Sequence, residues 1–556
     1  MAKSILFKLM LKLSLTTLFS LCCLFVLETA SAGNNSFNLD LSGQWYQVPA
    51  NSQFNIPSLA QDAERSQLKS VDQLALTGGH YVYKAEFKVL DTEPTVIDFK
   101  NASVLGKFHH YIFDSQQMLV AEASGGIEAK VPNPFMLRHA RVFNLPTGRY
   151  HLITELESPY FIAQPQPYVD ELAHYQQSIK WGDLIALISL GVLFSLGIYY
   201  SILAYVRRQA TEFNYAIFII MNLIFNSMTM LVAPDLLGIH WFYLAGAPIL
   251  ISNIAYMIFV MSLLGITRQS HPLLYRAGQI ILAILILFLL LAFVFHHWIL
   301  ELARYGVAVM LCYGLCAGIS RAREGSEIAR MYLFAIIAFV VIGSFAISAS
   351  TLDGIYTIYI EHIGLLSVTV EVLLIGLVLG YQFAELHREQ DRNVVLLQHS
   401  LKIAHSDALT GLPNRYALDI AMEELPGAGT LTFIDMDNLK LYNDHYGHKK
   451  GDELLQTFGE VLAIELHGVG TLHRIGGDEF AITSHYADAN KIQEYIENTV
   501  EILRQKGFAS TGASYGSVFR REAQTTDALK EMADARMYHH KRGRKVSRPQ
   551  MDLSGI

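Results

Sequence analysis

Apolar and polar positions alternate in short runs between residues 33 and 180 of this 556-residue chain. In residues 80–89, for example, Glu86 and Lys88 fall between apolar neighbours. Such alternation is typical of strands with one buried face. It predicts an all-β sandwich, jelly-roll-like, with further strands at 95–99, 109–113, 118–122 and 150–157. The aromatic residues in these runs suit a packed core, which is the commoner role, or a surface for sugar or peptide.

From Trp181 onward the pattern changes to long apolar segments. Seven of them have about 20 residues each, the length that crosses about 30 Å of hydrocarbon. They lie near 182–206, 213–233, 242–265, 277–299, 302–322, 329–352 and 361–384. Residues 181–384 are therefore predicted to form a seven-helix transmembrane bundle.

The arginines between these segments predict an orientation. Loops two, four and six hold only Arg304, whereas the other three loops hold Arg207, Arg208, Arg268, Arg276, Arg321, Arg323 and Arg330. Positively charged loops stay on the cytoplasmic side of a membrane. We therefore expect residues 33–180 in the periplasm, and the chain after Arg388 in the cytoplasm, of a bacterial inner membrane.

The first 32 residues have the pattern of a secretory signal peptide. Lys3, Lys8 and Lys12 precede an apolar stretch at 13–27, and small residues follow at 30–32. This order predicts cleavage before Gly33, with an uncleaved anchor helix as the alternative. The net charge of −8 includes no basic block, so nucleic acid is not an expected partner.

Glu371 stands out because it lies in the seventh apolar segment. A carboxylate at membrane depth costs about 2.5–3.5 kcal/mol on insertion scales, so it should face the bundle interior. Asn222 and Asn226, one helical turn apart in the second segment, are candidate partners. A structural hydrogen bond and a signalling role are both open for Glu371.

Residues 385–406 contain neither Gly nor Pro and predict a helical connector. Apolar residues follow 3-4-3-4 spacing, which is typical of a coiled-coil seam. They are Val394, Leu397, Leu401, Ala404 and Ala408. We expect the connector to pair two chains; the alternative is an amphipathic helix folded against its own domain.

Residues 407–548 alternate strand-like and helix-like runs, which predicts an α/β domain with a central sheet, followed by a tail at 549–556. The apolar run 430–434 is a predicted buried strand, and Asp435, Met436 and Asp437 follow it directly. The sequence GGDEF at 476–480 separates two further predicted strands, 472–475 and 481–483. It predicts a hairpin in which two glycines allow a tight turn.

Two acidic turns on neighbouring strands would form a site of hard oxygen ligands. Magnesium prefers carboxylates, carbonyls and substrate phosphates as ligands. The pattern therefore indicates two-metal chemistry of the kind that polymerases use.

Several motifs of the C-terminal region follow one another over about 140 residues. They are DALTGLPNR at 407–415, the Asp435 strand, NDHYGH at 443–448, Gly451-Asp452, GGDEF at 476–480, SYG at 514–516 and ADARMY at 533–538. Together they resemble the GGDEF family of diguanylate cyclases, which implies a mostly antiparallel central sheet. The β-rich region followed by seven spans resembles, by architecture, the seven-transmembrane receptors with diverse intracellular signalling modules.

The resemblance implies a role for each matching residue. Asp435 and Asp478, with the Met436 carbonyl, would bind two Mg²⁺ ions, with Mn²⁺ as an alternative. Glu479 would take the proton from the 3′ hydroxyl, although a metal-bound hydroxide is an alternative acceptor. Arg474 matches a supporting arginine.

The remaining matches concern the nucleotide. Asn443 and Asp452 match guanine contacts, and a carboxylate can accept hydrogen bonds from guanine that adenine cannot offer. Lys440 and Lys541 match triphosphate contacts. Arg544 matches a further contact only with a gap, because the segment after Lys541 is one residue shorter than in the family.

The family's product-inhibition site consists of an arginine and an aspartate, and His467 and Gly470 stand at those positions. Neither can make the guanidinium and carboxylate contacts. Inhibition by product through that site is therefore predicted to be absent.

The resemblance implies that the chain condenses two GTP molecules into cyclic di-GMP, under the control of an unknown periplasmic ligand or a change in the bundle. Because each domain holds one GTP, two must face each other, which predicts a homodimer through the connector and the GGDEF domains. A catalytically inactive receptor that binds GTP and signals by contact is the alternative. Asp452 disfavours a cyclase that accepts ATP.

Overall fold

A computed structural model describes residues 41–49, 68–91, 93–101, 103–349, 360–485, 489–508 and 511–547. The predicted signal peptide at 1–32 and the tail at 549–556 lie outside the described residues. The chain divides into two compact units, Met1–Ala384 and Glu385–Ile556.

The described part of the first unit begins with nine strands in two antiparallel sheets. They are β1 Gly43–Gln47, β2 Lys69–Val71, β3 Gly79–Val89, β4 Thr95–Lys100, β5 Lys107–Phe113, β6 Leu119–Gly125, β7 Arg141–Phe143, β8 Gly148–Ser158 and β9 Gln166–Glu171. The strand orders are β2-β1-β3-β8-β5-β6 and β7-β4-β9. One core takes Tyr83 and Leu152 from the larger sheet and Phe99 and Val169 from the smaller. The region is sandwich-like, as the alternation predicted.

Helices follow the strands in the same unit. They are α1 Leu172–Ser178, α2 Lys180–Arg207, α3 Ala210–Thr229, α4 Val232–Leu237, α5 Ala247–Leu263, α6 Pro272–Val294, α7 Ile299–Arg323, α8 Glu327–Ala349 and α9 Ile360–His405. Among the described residues, five helical stretches are long and apolar enough to cross a membrane, and α5 is a shorter apolar helix. A helix overlaps each of the seven predicted segments, but the count of seven spans stays a prediction.

Glu371 is buried among the helices and accepts a hydrogen bond from the hydroxyl of Tyr256 on α5, at 2.5 Å. The asparagines suggested by the sequence have other partners. The Asn222 amide donates to the Ser252 hydroxyl at 2.7 Å, and the Asn226 amide donates to the carbonyl of Asn222 at 2.8 Å. The partner of Glu371 therefore comes from the third apolar segment rather than from the second.

Polar contacts join the β-rich region to the helices within the first unit. The backbone N–H of Ser103 donates to the Glu361 carboxylate at the start of α9, at 3.0 Å. The fully buried Arg138 lies 3.4 Å from the carboxylate of Asp183 on α2. Buried charges are stable only when paired, so these contacts fix how the two parts of the unit pack.

The connector is helical, because α9 continues without interruption from Ile360 to His405. Its apolar residues Val394, Leu397 and Leu401 are at least half exposed in the single chain. This exposure is what a seam that pairs two chains requires, and the pairing stays a prediction.

The described residues of the second unit form a four-stranded sheet of order β11-β12-β10-β13. Its elements are α10 Arg415–Glu423, β10 Thr430–Asp437, α11 Leu439–Tyr446, α12 His448–Glu465, β11 Gly470–Gly476, β12 Glu479–Ser484, α13 Ala489–Gln505, β13 Gly512–Phe519 and α14 Thr526–Ser547. All neighbouring strands are antiparallel. Helices α11–α13 pack around Ile434 and Phe480, whereas α10 and α14 pack around Leu431 and Ala481, so helices cover both faces.

Candidate functional site

The site lies where the central strand β10 ends beside the β11–β12 hairpin. Asp435 is paired in register with Glu479 of β12, and the Met436 N–H donates to the backbone carbonyl of Asp478 at 3.0 Å. Gly477 has φ 55°, a left-handed conformation that favours glycine. The hairpin thus carries Asp478 and Glu479 to the end of β10.

Asp435 is largely buried, and the ammonium of Lys541 on α14 lies 2.6 Å from its carboxylate. Burial raises the pKa of Asp435; the Lys541 ammonium opposes this rise, and the charges of Asp478 and Asp437 add to it. We call Asp435, Asp437 and Asp478 the acidic cluster. Its members repel one another, so a cation bound there would be stabilised.

The donor atoms of this site fit magnesium. Asp435 and Asp478 offer carboxylate oxygens, and the Met436 carbonyl is the third predicted ligand. Lys541 already places a positive charge against Asp435. Among the described residues, no three His, Cys, Asp or Glu side chains form a complete metal site, so the remaining ligands would come from phosphates and water.

Glu479 is the acid next to Asp478 and is exposed at the site. The part of the Glu479 carboxylate that is shielded from water raises its pKa, the charges of Asp478 and Asp435 add to the effect, and Arg415 opposes it. A carboxylate with a raised pKa is a stronger proton acceptor than an ordinary glutamate.

Arg474 holds the hairpin turn in place. Its guanidinium donates to the Asp407 carboxylate at 2.8 Å and to the Gly477 carbonyl at 2.7 Å. Burial alone would raise the pKa of Asp407, but hydrogen bonds from Thr410 and Arg474 outweigh it and lower the pKa. The start of the domain is therefore bonded to the turn that carries Asp478.

Three of the predicted nucleotide contacts, Lys440, Asn443 and Asp452, lie on the consecutive helices α11 and α12. Lys440 is exposed in the first turn of α11, and Asp452 is exposed near the start of α12. The Asn443 side-chain oxygen is buried without a hydrogen-bond partner among the described residues. A β-carbon on Gly451 would lie 1.7 Å from that oxygen, so only glycine fits beside Asn443. An unpartnered buried oxygen is a ready acceptor for a ligand N–H.

Asp437 is a residue of the site that the sequence reasoning did not single out. It accepts a hydrogen bond from Ser514 at 2.7 Å and lies 3.5 Å from the guanidinium of Arg544. Arg544 also donates to the Ala513 carbonyl. The two-residue period of a strand could have predicted this, because Asp435 and Asp437 project from the same face of β10.

A protein-family model described as "Diguanylate cyclase, GGDEF domain" matches residues 404–546. The chain carries a GGDEF domain. A second model, described as "7TM diverse intracellular signalling", matches residues 182–382. With the apolar helices above, this match indicates a multi-pass membrane protein that joins a 7TM domain to the GGDEF domain.

Curated relatives of the GGDEF domain include the diguanylate cyclase DgcP of Escherichia coli, 34% identical over 187 residues. That alignment covers 31% of this chain and 53% of DgcP. The diguanylate cyclase DgcS of Shewanella oneidensis is 32% identical over 161 residues, covering 27% of this chain and 53% of DgcS. The chain thus spans about half the length of these two relatives.

A solved structure of the coiled coil and GGDEF domain of DgcB from Caulobacter crescentus, in complex with c-di-GMP, also matches. It is 25% identical, with a TM-score of 0.28, and the match covers 30% of this chain and 95% of the DgcB chain.

Proposed function

We propose that this protein is a membrane-bound diguanylate cyclase that condenses two GTP molecules into cyclic di-GMP and two pyrophosphates. The observation that carries the proposal is the pairing of Asp435 with Glu479, which brings the acidic ends of β10 and the hairpin together. The match of residues 404–546 and the relatives named diguanylate cyclases support the same activity.

The acidic cluster and its neighbours have separate roles in metal binding, proton transfer and positioning of the turn. Asp435, Asp478 and the Met436 carbonyl would hold two Mg²⁺ ions, which neutralise triphosphate charge when bound. Glu479 accepts the proton of the attacking 3′ hydroxyl, and its raised pKa suits that role. Arg474 would fix the turn beside Asp478 through its hydrogen bond to the Gly477 carbonyl.

The cationic and polar side chains around the cluster would bind the nucleotide. Lys541 and Arg544 already approach Asp435 and Asp437, so their charges are available to a triphosphate held there. Lys440 would add a further charge. The free oxygen of Asn443 and the exposed carboxylate of Asp452 would accept from the guanine edge.

Each domain would bind one GTP, and the product needs two symmetric phosphodiester bonds, so two copies must face each other. The exposed apolar residues Val394, Leu397 and Leu401 of α9 support a homodimer through the connector. In this proposal the alignment of the two copies sets the rate, and the GGDEF domains form the second contact.

The proposed location is a bacterial inner membrane, with seven spans, a periplasmic β-rich region and a cytoplasmic GGDEF domain. The arginine bias between the apolar segments supports this orientation. Ligand binding to the β-rich region would be transmitted to the GGDEF domain through α9, because Ser103 contacts Glu361 at the start of that helix.

The test uses purified full-length protein in lipid nanodiscs, with Mg²⁺ and either GTP or ATP, and identifies products by mass. We expect cyclic di-GMP from GTP, no cyclic product from ATP, and no product from an Asp478→Asn variant. Binding of GTP without conversion would identify a nucleotide-binding receptor instead. A cyclic product from ATP would contradict the role of Asp452.

A further inference from the structure

Helix α14 lies along the open edge of the sheet. Strand β13 pairs with β10 on one side only, and every second residue of such a strand turns its backbone polar groups outward. Three side chains of α14 bond to these groups. Arg536 donates to the Ser517 carbonyl at 2.7 Å, His540 Nδ1 accepts from the Tyr515 N–H at 3.1 Å, and Arg544 donates to the Ala513 carbonyl.

The spacing of these contacts follows from helix and strand geometry. Four helical residues rise about 6 Å, and two residues of an antiparallel strand rise about 6.8 Å. Side chains four apart on α14 therefore meet backbone groups two apart on β13. Gly516 permits the close approach, because a β-carbon there would lie 2.2 Å from the backbone nitrogen of Met537.

His540 is the middle contact of the three and differs from the other two. It is the only acceptor among them, and the group it satisfies is a buried strand's N–H donor. Its ring also packs on the ring of Tyr515, with centroids 4.3 Å apart. The Tyr515 hydroxyl is in turn fixed by a hydrogen bond to Glu497 at 2.8 Å. His540 is thus bonded to a residue of β13 whose side chain is also held by Glu497 of α13.

The residues next to His540 are those that reach the acidic cluster. Lys541 follows it directly and contacts Asp435, and Arg544 lies one turn further and contacts Asp437. The last turns of α14 carry these two cations. The position of the helix along the axis of β13 therefore determines where their charges lie. A 1 Å shift of a binding group is enough to weaken a charged contact.

We propose that His540 is a positioning residue: its bond to the Tyr515 N–H fixes α14 along β13, so that Lys541 and Arg544 meet the triphosphate of GTP. The role rests on the proposed function, because it acts through the binding of GTP. It assigns a task to a side chain outside the acidic cluster, one that the proposed function leaves without a role.

The protonation state of the ring agrees with this role. Burial lowers the pKa of His540, the charge of Arg544 lowers it further, and Asp437 and Glu497 oppose the shift. The ring is therefore neutral at neutral pH, and Nδ1 is free to accept. Protonation of Nδ1 would set a donor against the Tyr515 N–H, so the contact should fail as pH falls through this pKa.

The experiment compares variants of the full-length protein in nanodiscs with Mg²⁺ present. The oxygen of Asn occupies the position of Nδ1, so His540→Asn keeps an acceptor there, whereas His540→Leu has similar size without one. His539→Leu, at the exposed neighbouring position, is the matched control. The readouts are KM and kcat for GTP, the equilibrium Kd for GTP, and the melting temperature.

We expect His540→Leu to raise the KM and Kd for GTP about tenfold, the effect of one net hydrogen bond, with a smaller change in kcat. His540→Asn should stay close to wild type, as should His539→Leu. The wild-type KM should rise as pH falls through the His540 pKa, and that rise should be absent from His540→Asn.

Three results would overturn the proposal. They are an unchanged Kd in His540→Leu, equal losses in His540→Leu and His540→Asn, and a KM that responds to acid identically in wild type and His540→Asn. If the wild-type protein binds GTP without converting it, the proposed activity fails, but the order of Kd values still decides the role of His540. An absence of GTP binding overturns both.

Discussion

The ammonium of Lys541 lies 2.6 Å from the carboxylate of Asp435, although 106 positions separate the two residues in sequence. The contact joins the end of α14 to the end of β10. It places a cation against the most buried member of the acidic cluster. In the proposed function, the same ammonium would contact a phosphate oxygen of bound GTP.

Replacing Lys541 by alanine should weaken GTP binding, because one charge-assisted contact to the triphosphate is lost. We expect the KM for GTP to rise about tenfold, measured by steady-state product formation at saturating Mg²⁺. Lys530→Ala is the matched control, since Lys530 lies on the same helix but pairs with Asp419 at 2.7 Å. An equal rise in KM for both variants would contradict the assignment.

Glu479→Gln should lower kcat by about 100-fold to 10,000-fold, the usual contribution of a general base. In wild type, kcat should fall as pH falls through the pKa of Glu479, because the protonated acid cannot accept. Burial and the neighbouring carboxylates raise that pKa above the ordinary 4.5. A full pH profile of kcat for both proteins checks this. A variant that keeps the wild-type rate would remove Glu479 from the mechanism.

Arg474→Lys should destabilise the domain and slow the reaction. A lysine ammonium cannot donate at once to Asp407 and to the Gly477 carbonyl, as the guanidinium does. We expect the free energy of unfolding to drop by about 1.5–3 kcal/mol, the value of a hydrogen bond to a charged group. Denaturant unfolding measures it. Arg388→Lys, at an exposed pair with Glu385, should change it little.

Gly451→Ala should impair GTP binding through Asn443. The new β-carbon would meet the Asn443 oxygen at 1.7 Å and displace it from the position where it can accept from guanine. The KM for GTP should rise more than tenfold. Gly427→Ala adds a methyl group where nothing lies within 4 Å, and it should leave KM unchanged. Unchanged KM in Gly451→Ala would separate Asn443 from recognition of the base.

Inhibition by cyclic di-GMP at the family's product-inhibition site should be absent. His467 and Gly470 occupy the positions of that site's arginine and aspartate, and a β-carbon at 470 would lie 2.9 Å from the Thr483 carbonyl. Position 470 therefore lacks the aspartate, and the β-carbon of an aspartate there would lie too close to that carbonyl. Initial rates with added cyclic di-GMP measure the effect, and strong noncompetitive inhibition would show the expectation to be wrong.

Local patterns were enough to predict the parts of the fold that depend on neighbours in sequence. Alternation predicted strands β3 to β6 and β8, and the two glycines predicted the turn that carries Asp478. The convergence of the two acidic turns followed from placing a carboxylate directly after a buried strand. These features need only the period of an element and the residues that end it.

Other contacts were beyond the sequence because they depend on how whole elements dock. Tyr256 meets Glu371 only because α5 packs against α9, and nothing in the local sequence marks that pair. Asp437 contacts Arg544 only because α14 packs along β13 at one particular position along the strand. Registers of this kind are set by many packing contacts together, so a motif cannot predict them.

The central claim is that the acidic cluster and Glu479 turn over GTP, and the most direct measurement is product stoichiometry as Mg²⁺ is titrated into the full-length protein. We predict two pyrophosphates for each cyclic di-GMP, no product without a divalent cation, and no product from Asp435→Asn at any Mg²⁺ concentration. A wild-type protein that binds GTP and Mg²⁺ as a dimer but leaves GTP unconverted would contradict the account.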